Sequence, residues 1–451
     1  MAQQADMRAL ALDTLIDLEK NRKLSHVAVR ETLMRHQFLA RQDRAFYTRL
    51  VEGVTERRIY LDYVIDQFSR RPAAKCKPLI RSLLRMGVYQ ILFMDVPDAA
   101  ACSEAVKLAR KRHFSGLTGF VNGVLRNVSR GKTKILLPDP EKDYLRYLSV
   151  STSTPEWLTA LLLEEYGRTQ TEGILQAFLD ERPLTIRTCT NRISPEELKE
   201  MLEKEGISVR EGDYVRGAFV LEGIDSLNRI AAFREGYFTV QDESSQLAVE
   251  IARIHEGDLI LDVCAAPGGK TFHAADRAGK TGRVIARDLT ENKTDLIEEN
   301  KERLHFPTVK IEQWDARQTD SGMIAKADLV LADLPCSGLG IMGRKNDIKY
   351  NLDPASLSEL VKLQREILSV VWQYVRPGGQ LIFSTCTLLK EENEENAAWI
   401  LEHTPLRPVS IEDRLPEKLR GRTGEKGYLQ LLPGRDSCDG FFMARFERPV
   451  G

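Results

Sequence analysis

The chain has 451 residues, 42% hydrophobic and 29% charged, with 65 Lys and Arg against 66 Asp and Glu. That length exceeds one comfortable core and predicts two or three domains, and no apolar run is long enough to span a bilayer. Seven cysteines are scattered without paired metal spacing, so there is no zinc motif and reduced thiols in the cytoplasm are the default.

The amino terminus, Met1 to Asp6, lacks the basic and apolar regions of a signal peptide. The near-zero net charge hides an asymmetry. Residues 1–133 carry about +11 and the remainder about −12. A basic module joined to an acidic one suggests that the first part meets a polyanion, although an Arg-rich helical surface would give the same count.

Residues 8–130 read as helix after helix. Leu10, Leu12, Leu15, Ile16 and Leu18 fall at helical spacing, and Val51, Val54, Ile59, Leu61, Val64 and Ile65 continue the pattern. Residues 78–92 form the most apolar helix and its expected core. Basic residues gather at Lys107, Arg110, Lys111 and Arg112, and again at Arg126, Arg130 and Lys132. The all-α unit is assigned to residues 1–135, with a polar, Pro-containing linker over 136–149. Residues 150–235 alternate short helical and strand-like runs and predict a small α+β module. In it Pro155 and Glu156 begin a helix, Leu184 to Thr188 is strand-like, and Ser194 caps a second helix.

From 236 to 451 strand and helix patterns alternate, as in a parallel sheet wound on both faces. The anchor is the apolar run Leu259 to Val263, followed by Cys264-Ala265-Ala266-Pro267-Gly268-Gly269-Lys270. It predicts a buried strand, a tight turn and a helix start, with Gly268 and Gly269 open to close approach by a ligand. It is neither a Walker phosphate loop nor the spaced-glycine dinucleotide fingerprint. The strand-like runs that follow end near Asp288, Asp315, Asp333 and Cys386, and each delivers a polar or nucleophilic group where ligands of doubly wound sheets bind.

These residues carry a resemblance. Asp262 to Thr271, Asp333-Leu334-Pro335-Cys336-Ser337-Gly338 and Ser384-Thr385-Cys386-Thr387 resemble the RNA cytosine-carbon-5 methyltransferases, and within them the RsmB (Sun/Fmu) family. The likeness extends to Gln241-Asp242-Glu243-Ser244-Ser245-Gln246 and Asp439-Gly440-Phe441-Phe442, and so covers nearly the whole chain. It implies three parts: a NusB-like all-α RNA-binding domain, an RNA-recognition-like α+β module packed on the catalytic domain, and a Rossmann-like methyltransferase domain. The 439–446 stretch would be its closing antiparallel strand. The middle module has no aromatic stacking signature for reading bases.

The resemblance implies S-adenosylmethionine as cofactor and one cytosine of 16S ribosomal RNA as substrate, met as naked RNA or an early assembly intermediate. A monomer with no membrane association is the default. Carbon 5 of cytosine is a poor nucleophile; a thiolate added at carbon 6 makes it electron-rich. In this family the nucleophile matches Cys386, and Cys336 resolves the adduct. Asp333 would hydrogen-bond the cytosine edge. Lys270 would contact the nucleotide or support that carboxylate. Cys264, Ala265, Ala266, Pro267, Gly268, Gly269 and Lys270 would wrap the cofactor. Asp288 would take its ribose, Asp315 its adenine amino group, and Asp333 or Asp262 its ammonium. Arg344 is placed to meet RNA phosphate, or is a solvated loop arginine. With Lys107, Arg110, Lys111 and Arg112 it makes up the expected RNA contacts.

Leu334 replaces the family's usual Ala, and Asn346 and Tyr350 stand where Pro and Trp are usual. These changes bear on substrate fit and remove no reacting atom. Three alternatives stay open: another RNA target, a DNA-type enzyme using Cys336 as nucleophile, and an RNA-binding factor with an inactive methyltransferase fold.

Overall fold

The structure, a computed structural model, describes residues 6–21, 23–224 and 226–450. Residues 1–5, most of the stretch on which the amino-terminal reading rests, lie outside the described residues. The chain divides into two units. One runs to Asp180 and also includes Met342–Asn351; the other comprises Glu181–Ile341 and Leu352–Gly451.

The first unit is helical, from Met7–Asn21 to Glu156–Ala177. Its core helix is Pro78–Phe93, as the apolar pattern predicts. Pro78 opens that helix, where a fixed φ and a missing N–H cost nothing. Ile80, Leu83, Leu84, Val88 and Tyr89 are buried along it. At Gly87 a Cβ would stand 2.6 Å from the Leu125 side chain, so glycine permits the close approach of the helix Thr118–Gly131.

One feature departs from the sequence reading. Part of the expected linker is the helix Tyr144–Ser151, capped by the Asp143 carboxylate accepting from Arg146 N. The helix Glu156–Ala177 starts just after Pro155, as the sequence predicts. At eight residues the first helix is too short to show a periodicity, and a linker-like Pro-containing stretch precedes it.

The segment Met342–Asn351 packs within the helical unit through its own side chains. Asp347 accepts from Ser25 N at 2.6 Å. The Tyr350 hydroxyl lies 2.8 Å from the Ser153 carbonyl, and the Arg58 guanidinium sits 3.9 Å from the centre of its ring.

The second unit holds two sheets. The smaller pairs β1 (Leu184–Thr188), β2 (Ser208–Glu211), β3 (Ala218–Glu222) and β4 (Phe238–Val240) in the order β2-β3-β1-β4. Its helix Pro195–Lys204 is capped by Ser194, as predicted, and Glu197 completes a capping box there. Asp276, on the helix Gly269–Ala278 of the larger α/β layer, ties to this module by accepting from Arg187 Nη1, Thr190 N and Asn191 N at 3.1, 2.9 and 2.8 Å.

The larger sheet contains β5 (Leu259–Asp262), β6 (Arg283–Asp288), β7 (Val309–Gln313), β8 (Ala327–Asp333) and β9 (Val375–Thr385), all parallel. β10 (Arg407–Pro408), β11 (Tyr428–Leu431) and β12 (Phe441–Glu447) complete it, with β12 antiparallel to β9 as expected. The order is β10-β12-β9-β8-β5-β6-β7, with β11 paired to β12. Leu329, Val330, Leu331 and Ala332 of β8 are all buried, the pattern of a strand covered on both faces. Winding reverses between β5 and β8, and a doubly wound sheet opens its ligand crevice at that switch point. No helix among the described residues is long and apolar enough to cross a membrane.

Candidate active site

The turn after β5 lies on that crevice. Backbone bonds fix it: Val263 N donates to Leu331 O at 3.1 Å, and Ala265 N donates to Arg287 O at 2.9 Å. Gly268 has φ +102° and precedes the helix Gly269–Ala278. A Cβ on Gly268 would meet Phe272 at 2.4 Å, so the turn itself demands glycine there. Gly269 is different: a Cβ would come no closer than 3.7 Å to anything. Openness to a ligand is therefore a property of Gly269.

Two carboxylates border the turn, and a third lies beyond the end of β7. Asp288, the last residue of β6, accepts from Ala266 N at 3.0 Å, Leu289 N at 2.7 Å and Lys293 Nζ at 2.9 Å. Asp262, at the end of β5, accepts from Thr271 Oγ1 at 2.6 Å through one oxygen. Its other oxygen is buried and has no hydrogen-bond partner among the described residues. Burial raises its pKa to about 7. Asp315 lies two residues past β7 and pairs with Arg317, Nη2 at 2.7 Å, which holds its carboxyl below the usual carboxylate range. Burial and the neighbouring Asp288 carboxylate push the Cys264 thiol up, which suits a packing residue.

On the other side of the switch point Asp333 ends β8. Its Oδ2 accepts from Lys270 Nζ at 2.7 Å, and its Oδ1 from Ser384 Oγ, also at 2.7 Å. Ser384 is its partner across β9, so sheet register sets the second bond. Lys270 comes from the helix after the glycine turn and also lies 4.9 Å over the Phe441 ring. The ion pair with Lys270 thus holds one oxygen of the Asp333 carboxylate.

Beyond Asp333 and Thr385 the chain presents the two motif cysteines. Their sulfurs are 3.4 Å apart and both residues are partly exposed. The hydrogen bond to Cys386 and burial push the Cys336 thiol well up. Leu334 is buried, and its N–H donates to Ser384 O at 3.0 Å.

One residue near the cysteines had no place in the sequence reading. Glu392 is fully buried just beyond Cys386. It accepts from Ser337 N at 2.9 Å, Ser337 Oγ at 2.5 Å, Thr387 Oγ1 at 3.0 Å and Gln364 Nε2 at 2.8 Å. The local sequence Lys390-Glu391-Glu392-Asn393-Glu394-Glu395 reads as a solvated acidic run, and nothing in it separates buried Glu392 from exposed Glu391.

The expected RNA contacts lie in the helical unit. Lys107 pairs with Glu104 and Arg112 with Asp13, at 2.7 and 2.6 Å. Arg110 and Lys111 are exposed at the end of the helix Asp98–Lys111. Arg344 is exposed within Met342–Asn351.

Comparison with known proteins places this geometry. A probable ribosomal RNA small subunit methyltransferase B of Bacillus subtilis is 36% identical over 450 residues, covering 99% of both chains. The chain belongs to the ribosomal RNA small subunit methyltransferase B family. The Vibrio cholerae member is 32% identical over 89% of each chain. Family models match in three parts: NusB over residues 5–130, the RsmF/B-like ferredoxin-like domain over 154–226, and 16S rRNA methyltransferase RsmB/F over 249–447. Among solved structures, that of PH0851 covers 99% of both chains with a TM-score of 0.81 and 26% identity. NSun6 from Pyrococcus horikoshii shares the fold, with a TM-score of 0.58 and 23% identity over 66% of this chain and 98% of its own. The helical, ferredoxin-like and methyltransferase parts of this family are therefore the architecture of this chain.

Proposed function

We propose that this family member methylates carbon 5 of a cytosine in small-subunit ribosomal RNA through a covalent adduct on Cys386, with S-adenosylmethionine as donor. The observation that carries the reading is the meeting of Cys386, Cys336 and Asp333 at the ends of two adjacent parallel strands, with sulfurs 3.4 Å apart. A binding protein with an inactive fold has no need of two thiols and a Lys-supported carboxylate at one point.

The donor supplies an electrophilic methyl group on a positively charged sulfur. The residues suit it. The unpartnered, buried Asp262 oxygen beside the turn is an acceptor waiting for a donor, and an ammonium group would satisfy it. Gly269 leaves room at the backbone, and Asp288 offers a carboxylate at the strand end where ribose hydroxyls are held in such sheets. Asp315 can take the adenine amino group through the oxygen lone pairs that Arg317 leaves.

Cys386 adds as the thiolate to carbon 6. The C–S bond forms, the C5=C6 π pair moves to carbon 5, and Asp333 accepts from the amino group on the cytosine edge, which orients the ring. Lys270 and the Ser384 hydroxyl fix the Asp333 carboxylate in place for that contact. Cys336, with its thiol pushed up, stays protonated and donates S–H to the Cys386 thiolate. Carbon 5 then uses that pair to bond the methyl group, whose bond to the donor sulfur breaks with its electron pair left on sulfur. A base takes the carbon-5 proton, the double bond re-forms, and Cys386 leaves as a thiolate received by the Cys336 S–H. The cytosine must be unstacked, since carbon 6 is out of reach inside a helix.

The test is transfer of labelled methyl from S-adenosylmethionine to unmodified 16S ribosomal RNA, with the product nucleoside identified. Label recovered as 5-methylcytidine at one position is expected. Label on a ring or exocyclic nitrogen, or no transfer, would overturn the reading.

A further inference from the structure

Glu392 is a buried carboxylate that no step above uses. A charge out of water is retained only where its acceptors are filled, and these are filled in an informative way. Ser337 directly follows Cys336, and Thr387 directly follows Cys386. Both hydroxyls bond the same oxygen, Oε1, and lie 2.6 Å from each other. The second oxygen takes Ser337 N and Gln364 Nε2, and Gln364 also donates to Pro335 O at 3.0 Å. Pro335, Ser337 and Thr387 thus bracket the two reacting cysteines, and one carboxylate or its direct partner touches all three. Asn396 anchors the far side, donating to Gln364 Oε1 at 2.7 Å. The sheet alone does not reach this far. β8 stops at Asp333 and β9 at Thr385, so both cysteines sit past the last strand residues. Besides this network, a backbone bond from Gly340 N to Cys386 O, 2.9 Å, joins the two loops.

We propose that Glu392 is the positioning residue of the two-cysteine centre: by tying Ser337 and Thr387 to one anchor it sets the separation of the Cys336 and Cys386 sulfurs. The proposal rests on the two-cysteine reading above for its link to catalysis. The geometric part stands apart from it and can be measured without RNA.

The experiment compares the full-length parent with Glu392→Gln, which keeps the volume but removes the charge and half of the acceptor capacity. Two quantities are read. The first is the rate at which diamide joins Cys336 to Cys386, followed by mass spectrometry of the linked peptides; the two thiols give up two electrons and two protons to the diazene. The second is kcat and KM for methyl transfer. In Glu392→Gln the disulfide rate is expected to fall about tenfold and kcat about a hundredfold, with KM for RNA and donor changed less than about threefold.

Thr387→Val should move both quantities in the same direction, and Thr387→Ser, which keeps the hydroxyl, should restore them. This pair serves where Glu392→Gln does not fold. An unchanged disulfide rate in folded Glu392→Gln and Thr387→Val overturns the proposal, whatever happens to kcat. If the parent transfers no methyl group, the two-cysteine reading fails, while a slowed disulfide rate still upholds Glu392 as the anchor.

Discussion

The sulfurs of Cys336 and Cys386 stand 3.4 Å apart, although the residues are 50 positions apart in the chain. Each cysteine follows the end of one of two adjacent parallel strands, so the fold rather than the local sequence makes the pair. A disulfide is about 2.05 Å long, and closing this gap takes little movement. Mild peroxide should therefore convert the pair to a disulfide, with loss of methyl transfer and of two hydrogens in mass. Dithiothreitol should reverse both changes. Transfer that survives formation of the Cys336–Cys386 disulfide would show that the pair is not the reacting centre.

Lys270 is buried against Asp333, whose side chain is 32% exposed. Lys270→Met would leave that carboxylate one hydrogen bond short but still held by Ser384. The expected loss of stability is about 1–2 kcal/mol, below the roughly 3–5 kcal/mol of breaking a fully buried pair because water can reach Asp333. The expected loss in kcat is about a hundredfold, since the carboxylate is no longer held in position. Denaturant unfolding and single-turnover transfer check the two parts. A large fall in stability with kcat unchanged would make Lys270 purely structural.

Asp262 has its carboxyl raised to about 7 by burial. The unfolded chain gives up this proton near pH 4 and the folded protein only near pH 7. Ionisation is thus disfavoured in the fold, and stability falls as pH rises through that window. Asp262→Asn stays neutral and still accepts from Thr271. Its stability advantage should grow by roughly 2–3 kcal/mol between pH 5 and pH 8 in the absence of donor. Its affinity for S-adenosylmethionine should drop, because the unpartnered oxygen is gone. Urea unfolding at the two pH values and calorimetric titration with the donor measure this. A stability gap that does not vary with pH contradicts it.

Arg110 and Lys111 carry the next prediction. Lys107 and Arg112 already sit in ion pairs with Glu104 and Asp13, which makes them weaker candidates for phosphate. The double change Arg110→Ala, Lys111→Ala should weaken RNA binding and lower the slope of log K against log salt by about one to two. The same double change at Lys107 and Arg112 should do less. Filter binding over a salt series decides, and an equal or greater loss in the second pair would reverse the assignment.

The methyltransferase half was legible because its parallel strands end at or just before chemically distinctive residues. β5, β6 and β8 end on the aspartates Asp262, Asp288 and Asp333 that the sequence marks. A parallel sheet forces such residues to one edge, so their convergence follows from the alternation of strand and helix. Pairings between distant segments were not legible. Glu392 looks like any residue of an acidic run until the loops of Cys336 and Cys386 close around it. The placement of Met342–Asn351 in the helical unit is also invisible locally, since Tyr350 and Asp347 find their partners at Ser153 and Ser25. The helix Tyr144–Ser151 escaped because eight residues give little more than two turns of pattern.

The most direct test of the central claim is to trap the covalent intermediate. Cys336→Ala, Cys386→Ala and the double variant are incubated with unmodified 16S ribosomal RNA and S-adenosylmethionine, then resolved under denaturing, reducing conditions. Cys336→Ala is predicted to accumulate a protein–RNA adduct that carries the transferred methyl group, while Cys386→Ala and the double variant form none and transfer no methyl. An adduct or continued methyl transfer in Cys386→Ala would contradict the account and make Cys336 the nucleophile.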